Sequence, residues 1–262
     1  MKTTRGFTLV EVLISLGILG IIIVALFQTI GSTTGYSNTT NASNDLIREG
    51  QIAQQLLNAR FKEACYIYPA NTIITLSNSE ETTRSVFNFY FTFQWLIGTD
   101  PIAAVILPPA ANGASNNYRF FAYYAIPRSQ YVGAVTSELS SGFDLLNDNQ
   151  VFTLMEYSRE IDVSNTTTFP NRRCASLAIN SNFNYSGEVG IMLADYIAPT
   201  TASSDFMTVG GTAPSGGAAF VTYNLRLQKT TRGDGVLNTV SVGGGASGTT
   251  LTARVYPVNL GL

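Results

Sequence analysis

The chain has 262 residues, of which 45% are hydrophobic and 12% charged, with 15 Lys and Arg against 17 Asp and Glu, two cysteines and no histidine. Its length suits one or two domains with a real core, and a charged share about half of the usual roughly 25% means a surface built largely from Ser, Thr, Asn and Gly. A net charge of -2 gives no footprint for nucleic acid, and the missing histidine removes Ser-His-Asp, Cys-His and His-ligated metal arrangements together.

The first element is the most informative. Residues 7–30, FTLVEVLISLGILGIIIVALFQTI, are almost unbroken apolar sequence whose only charge is Glu11. As a helix rising about 1.5 Å per residue they extend about 36 Å, enough to cross a hydrocarbon core of about 30 Å. Lys2 and Arg5 precede this run and the next basic residue is Arg48. The positive-inside rule therefore puts the N-terminus in the cytoplasm and everything after residue 30 outside. A secretory signal fits poorly, because the run exceeds the usual 7 to 15 apolar residues and no clean small-x-small cleavage site follows. A plain membrane anchor leaves Glu11 unexplained, since a carboxylate near the bilayer centre costs on the order of 2.5–3.5 kcal/mol and by default implies a partner or a function.

Arg5-Gly6-Phe7-Thr8-Leu9-Val10-Glu11, followed by Val12 to Leu19, resembles the class III signal of type IV prepilins and type II secretion pseudopilins: a short basic leader ending in Gly, Phe directly after it, Glu five residues into the mature chain, then an apolar helix. The resemblance implies removal of residues 1–6 by a prepilin peptidase that cuts between Gly6 and Phe7, and N-methylation of Phe7. It further implies a role for Glu11 in assembly, where it pairs with the N-terminal ammonium of a neighbouring subunit. A matched buried pair costs much less than a lone buried charge, so the device sets register between subunits more than it adds stability. The implied partners are the peptidase, other pilin or pseudopilin subunits, an inner-membrane assembly platform and membrane lipid.

Residues 31–44 turn to Ser, Thr, Asn and Gly, and Gly31 and Gly35 predict a kinked or partly melted neck. From Asp45 to about Ala64 a helix follows, with Leu46, Ala53, Leu57 and Phe61 as its apolar stripe and Ile52, Leu56 and Ala59 broadening it. Beyond Cys65 the pattern becomes strand-like. Phe87, Phe89, Phe91, Phe93 and Trp95 alternate with polar residues, and strands are predicted at 118–126, 151–158, 175–179 and 188–195. Val221, Tyr223, Leu225 and Leu227 read as one further strand, and 251–255 as the last. The expected fold class is α+β: a long transmembrane and amphipathic N-terminal helix (7–30, then 31–64) followed by an antiparallel β-sheet head (65–262) of pilin-like form.

The loops at 108–113, 210–217 and 243–248 are rich in Gly, Pro and Ala, and none carries the Lys-Ser/Thr of a phosphate loop. Arg232-Gly233-Asp234-Gly235 reads as a hairpin turn in which Asp-Gly supplies positive φ angles. The size of the head and the order of its hydrophobic segments resemble J-type pseudopilins and W-type minor pilins, and the presence of Glu11 argues against the large K-type capping subunits.

Cys65 closes the long helix and Cys174 lies far along the sheet, in a compartment outside the cytoplasm. One intramolecular pairing is available and oxidising surroundings favour a disulfide, with two buried thiols as the alternative. Asp144, Asn147, Asp148 and Asn149 form the best oxygen-ligand cluster for calcium, an ion that some pseudopilins bind, but the spacing misses the EF-hand pattern and an ordinary polar turn is favoured. No cofactor and no catalytic constellation is expected. The functional expectation is a minor pilin or pseudopilin that enters a type IV pilus or type II secretion pseudopilus through its N-terminal helix, at filament initiation or tip. The alternative keeps the anchor and makes the head a tip module for DNA uptake or surface adhesion.

Overall fold

The computed structural model describes residues 8–77, 80–87, 93–109, 117–134, 142–161, 174, 190–198, 206–233, 236–243 and 251–259. A single helix, α1 (Leu9–Glu63), leads into the head. There follow β1 (Tyr66–Ile67), β2 (Ile73–Thr75), a 3-10 turn (Glu81–Thr83), β3 (Gln94–Leu96), β4 (Ile102–Leu107), β5 (Tyr118–Pro127), α2 (Arg128–Ala134), β6 (Phe152–Ile161) and β7 (Ile191–Ile197). The chain continues through β8 (Met207–Gly210), β9 (Phe220–Leu225), β10 (Leu227–Gly233), β11 (Val236–Val242) and β12 (Leu251–Val255). One long helix followed by antiparallel strands is the α+β, pilin-like class expected above.

The helix does not break at the neck. Gly31, Gly35 and the run of Ser, Thr and Asn stay helical, where sequence composition predicted a kink. Three of the neck hydroxyls bond carbonyls four residues back, Thr33 Oγ1 donating to Thr29 O (2.7 Å), Thr34 Oγ1 to Ile30 O (2.9 Å) and Thr39 Oγ1 to Gly35 O (3.0 Å), bonds that the helix accommodates at a slight cost. Burial begins only at Ala42 and recurs at Leu46, Gly50, Ala53, Leu57 and Phe61, one stripe of four- and three-residue steps. The stripe is narrower than expected, since Ile52 and Ala59 are exposed and only Leu56 of the broadening residues packs on the core. Arg60 and Lys62 complement the helix dipole at the C-terminal end. There the last carbonyls are met by the far end of the chain, Val258 N–H donating to Lys62 O (3.0 Å) and Asn259 Nδ2 to Glu63 O (3.1 Å).

The main sheet has seven strands in the order β1-β4-β5-β6-β7-β10-β11, and a second has three in the order β12-β9-β8. The head curls round the helix as a half-barrel. The central strands are covered on both faces. On the helix side Ala103, Val105 and Leu107 of β4 and Phe121, Tyr123 and Ala125 of β5 join Leu57, Phe61, Tyr223 and Leu225 in one core. On the other side Ile102, Ala104, Ile106, Phe120, Ala122, Tyr124 and Ile126 pack with Tyr68, Trp95, Cys65 and Cys174 in a second. Leu107 to Ile102 therefore shows no alternation between buried and exposed residues, and β4, which sequence periodicity had not predicted, is buried throughout.

Two further expectations change. The alternating segment from Phe87 is not one strand: Phe87 sits in a bend, its N–H tied to Ser85 Oγ (3.3 Å) and its ring stacked on Phe152, and β3 begins at Gln94. Phe89 and Phe91 lie outside the described residues, as does the segment 175–179. Residues 221–227 are two strands in different sheets, divided at Arg226, whose carbonyl accepts the Ala198 N–H (2.7 Å) at the end of β7. This crossing lets Leu225 and Leu227 enter the same core from two sheets. β10 and β11 form the expected hairpin, closed by the pair Gly233↔Val236, and the turn residues Asp234 and Gly235 lie outside the described residues.

Candidate functional site

Fifteen large apolar side chains between Leu9 and Ile30 are exposed on the isolated chain. At roughly 1.5–3 kcal/mol each, leaving them in water costs on the order of 20–45 kcal/mol, more than the roughly 5–15 kcal/mol that holds a domain together. This surface requires lipid or other helices. Ser15 Oγ donates to Glu11 O (2.8 Å) and Thr29 Oγ1 to Ala25 O (2.9 Å), so the polar side chains of the segment bring few unmet groups into an apolar medium.

Glu11 is built into the start of this helix. Thr8, with extended φ and ψ of -82° and 151°, is the N-cap. Its backbone N–H and its hydroxyl both donate to Glu11 Oε2 at 2.9 Å, while Thr8 Oγ1 accepts the Glu11 N–H at 3.3 Å. This is a capping box, two orphan donors of the helix end met reciprocally, with a carboxylate at the positive end of the helix dipole. Both bonds from Thr8 fall on Oε2. The role of Thr8 escaped sequence reasoning, although Thr-x-x-Glu ahead of an apolar run is the signal for it. Gly6 and Phe7 lie outside the described residues.

A second constellation lies in the head, and it contains the residues considered for calcium. Asp144, Asn147 and Asp148 come together in the turn before β6 and point at protein donors. Arg128, 1% exposed, bonds Asp148 through Nη1 and Asp195 through Nε (2.9 and 3.1 Å), and its Nη2 donates to Gly142 O (3.1 Å). Thr153 Oγ1 donates to Asp195 Oδ1 (3.2 Å), and Tyr196 Oη donates to Asp144 Oδ2 (3.1 Å). The Tyr196 ring lies between two cations, 5.0 Å from the Arg128 guanidinium and 4.4 Å from Lys229 Nζ. Helix α1 joins through Glu49, whose carboxylate accepts the Asp195 N–H. Burial pushes the Glu49 carboxyl above its ordinary range, the Asp195 N–H pulls it back, and the Asp195 charge adds to the rise. The cluster thus ties α1, α2, the 144–150 turn, β7 and β10 to one buried guanidinium. Sequence spacing found the three residues of the turn and missed Arg128 and Asp195, which lie 67 residues apart in the chain. Among the described residues no group of three or more Cys, Asp or Glu side chains is arranged to hold a metal ion.

Cys65 and Cys174 form a disulfide with a Cα–Cα distance of 5.9 Å, buried on the face of the sheet away from α1. It joins the end of α1 to a segment 109 residues further on, a long-loop closure that a chain-entropy argument values at about 4.7 kcal/mol for a loop of roughly 100 residues.

The unburied stretch of α1 is long and apolar enough to cross a membrane, as an anchoring helix must be, and it carries a capped acid in its first turn. Residues 1–27 match the family described as the prokaryotic N-terminal methylation motif. That motif is the class III signal of type IV pilins and pseudopilins, and the chain carries it. The motif implies processing by a prepilin peptidase and assembly with other pilin subunits. No curated protein and no solved structure matches the chain.

Proposed function

We propose that the chain is a minor pilin or minor pseudopilin, cleaved after Gly6, methylated at Phe7 and held in the inner membrane by residues 7–30 with its head outside the cytoplasm. It joins a type IV pilus or type II secretion pseudopilus through that helix and acts at filament initiation or tip, without catalytic activity. The observation that carries this reading is the class III signal continuous with an apolar helix whose first buried residue is Ala42. Glu11 fits the assembly role because its capping partner Thr8 leaves one carboxylate oxygen for an ammonium from a neighbour. A single-pass orientation with the N-terminus inside follows from Lys2 and Arg5. The size of the head and the order of its strands favour a J-type or W-type subunit over the small shaft subunits.

The test is processing and incorporation in a host with an active prepilin peptidase. Gly6→Ala is expected to retain the mass of residues 1–6, and Glu11→Ala to be inserted and cleaved yet missing from sheared filaments. An unchanged mature mass for Gly6→Ala, or normal incorporation of Glu11→Ala, refutes the respective step.

A further inference from the structure

The β10–β11 hairpin has two edges, and the fold treats them differently. β10 joins β7 only at Leu227↔Ile197. Beyond that point the Asn147 carboxamide takes the place of a strand: Thr230 N–H donates to Asn147 Oδ1 (2.7 Å) and Asn147 Nδ2 donates to Thr230 O (2.9 Å). These bonds fix the phase of the hairpin. The main-chain groups of Thr230 face away from β11, so in the antiparallel pair Thr230↔Thr239 those of Thr239 face away from β10. The Thr231 hydroxyl, which reaches Asn238 O (3.4 Å), agrees, because it places the Asn238 carbonyl on the inner side. Alternation then puts the N–H and C=O groups of Leu237, Thr239 and Ser241 along the outer edge. Among the described residues no strand pairs with that edge, and all three residues are exposed.

Natural sheets blunt such edges with short strands, charges, proline or bulges. β11 has none of these: it is seven residues, VLNTVSV, in unbroken register with β10. The opposite edge of the same sheet, β1, has two residues, and the β12 edge carries Arg254. A row of three donors and three acceptors on a strand of β-forming residues fits an extended main chain, and the absence of charge makes no ionic demand on it.

We propose that the outer edge of β11 is a strand-addition site for an extended, uncharged segment in the head of the neighbouring pilin-type subunit. This rests on the function proposed above. Subunits that pack through the bare stretch of α1 bring their heads side by side, and β11 packs against α1 rather than at the far side of the head.

The test uses the full chain in cells that assemble the filament. Thr239→Pro removes an outward N–H and keeps the main-chain bonds to β10, losing only the contact of its hydroxyl with Thr230 Oγ1 (3.3 Å), at a position proline tolerates on an edge strand, whereas Asn238→Pro removes an inward N–H and serves as the control that damages the hairpin. Thr239→Pro is expected to keep wild-type protease resistance of the head and wild-type processing while incorporation falls at least tenfold. A p-benzoylphenylalanine residue placed at position 241 is expected, on irradiation, to insert its ketone into a C–H bond of the neighbour and give an adduct with the mass of this chain plus a second pilin-type subunit. The double variant Leu237→Lys/Thr239→Lys, which changes only exposed side chains, repeats the test if the proline variant does not fold. Wild-type incorporation of a folded edge variant, or a position-241 photo-adduct that forms only between copies of this chain when the assembly machinery is absent, overturns the proposal. A wild-type chain that never enters a filament refutes the proposed function itself, and this proposal with it.

Discussion

Replacing Arg128 by Met tests whether one buried cation organises the head. Arg128 is 1% exposed, and the side chains of its two carboxylate partners are 11% (Asp148) and 4% (Asp195) exposed. Met keeps the length of the stem and removes the charge, so two buried carboxylates lose their partner. Breaking a buried pair in this way costs about 3–5 kcal/mol. For a head of this size about 1 kcal/mol shifts the unfolding temperature by roughly 2–4 °C, which places the expected loss at roughly 6–20 °C in detergent-solubilised full chain followed by near-UV circular dichroism. Arg128→Met/Asp148→Asn/Asp195→Asn, which removes all three charges, is expected to recover much of the loss. A shift under about 2 °C would show that the ion pairs do not hold the head together.

Gly50→Val is expected to destabilise the head by about 1–3 kcal/mol through overpacking, because a Cβ there meets Leu251 Cδ1 at 2.5 Å and Leu227 Cδ1 at 3.0 Å; Gly50→Ala is expected to be milder, offset by about 1 kcal/mol of helix propensity, and thermal melts of the two variants check the order. Glu49 has its carboxyl raised chiefly by burial, so its charged form weakens the folded state once pH rises above the raised value. Glu49→Gln, which keeps an acceptor for the Asp195 N–H, is therefore expected to raise the melting temperature at pH 7 and to lose that advantage below the ordinary glutamate range, as melts across pH 3.5–8 will show.

Particular residues show why the sequence revealed some of this fold and not the rest. The strands flanked by polar faces, β9 and β12, alternate cleanly between Val221, Tyr223, Leu251 or Val255 inside and Thr222, Asn224, Thr252 or Arg254 outside, and period two finds them. β4 is IAAVIL with a core on either face, so no period survives to be read. The switch at Arg226 leaves the alternation of Leu225 and Leu227 intact while changing the sheet, an event that depends on Ala198 from elsewhere in the chain. In the neck, composition pointed to melting, and only the local geometry shows Thr33, Thr34 and Thr39 bonding carbonyls four residues back within an unbroken helix. At the N-terminus every element of the signal is contiguous and Glu11 stands out at once, whereas the Arg128 cluster draws on separate elements and only its turn residues Asp144, Asn147 and Asp148 lie close enough in the chain to be read together.

The continuity of α1 from Leu9 to Glu63 has a mechanical consequence. A helix without a hinge is a torsionally stiff shaft, in which each residue turns the far end by about 100° and advances it about 1.5 Å. The compass bearing of Glu11 is therefore geared to the bearing of the head. One residue inserted into the exposed stretch before Ala42 would leave both ends chemically unchanged and point them about 100° apart, out of step for any neighbour that must engage both at once.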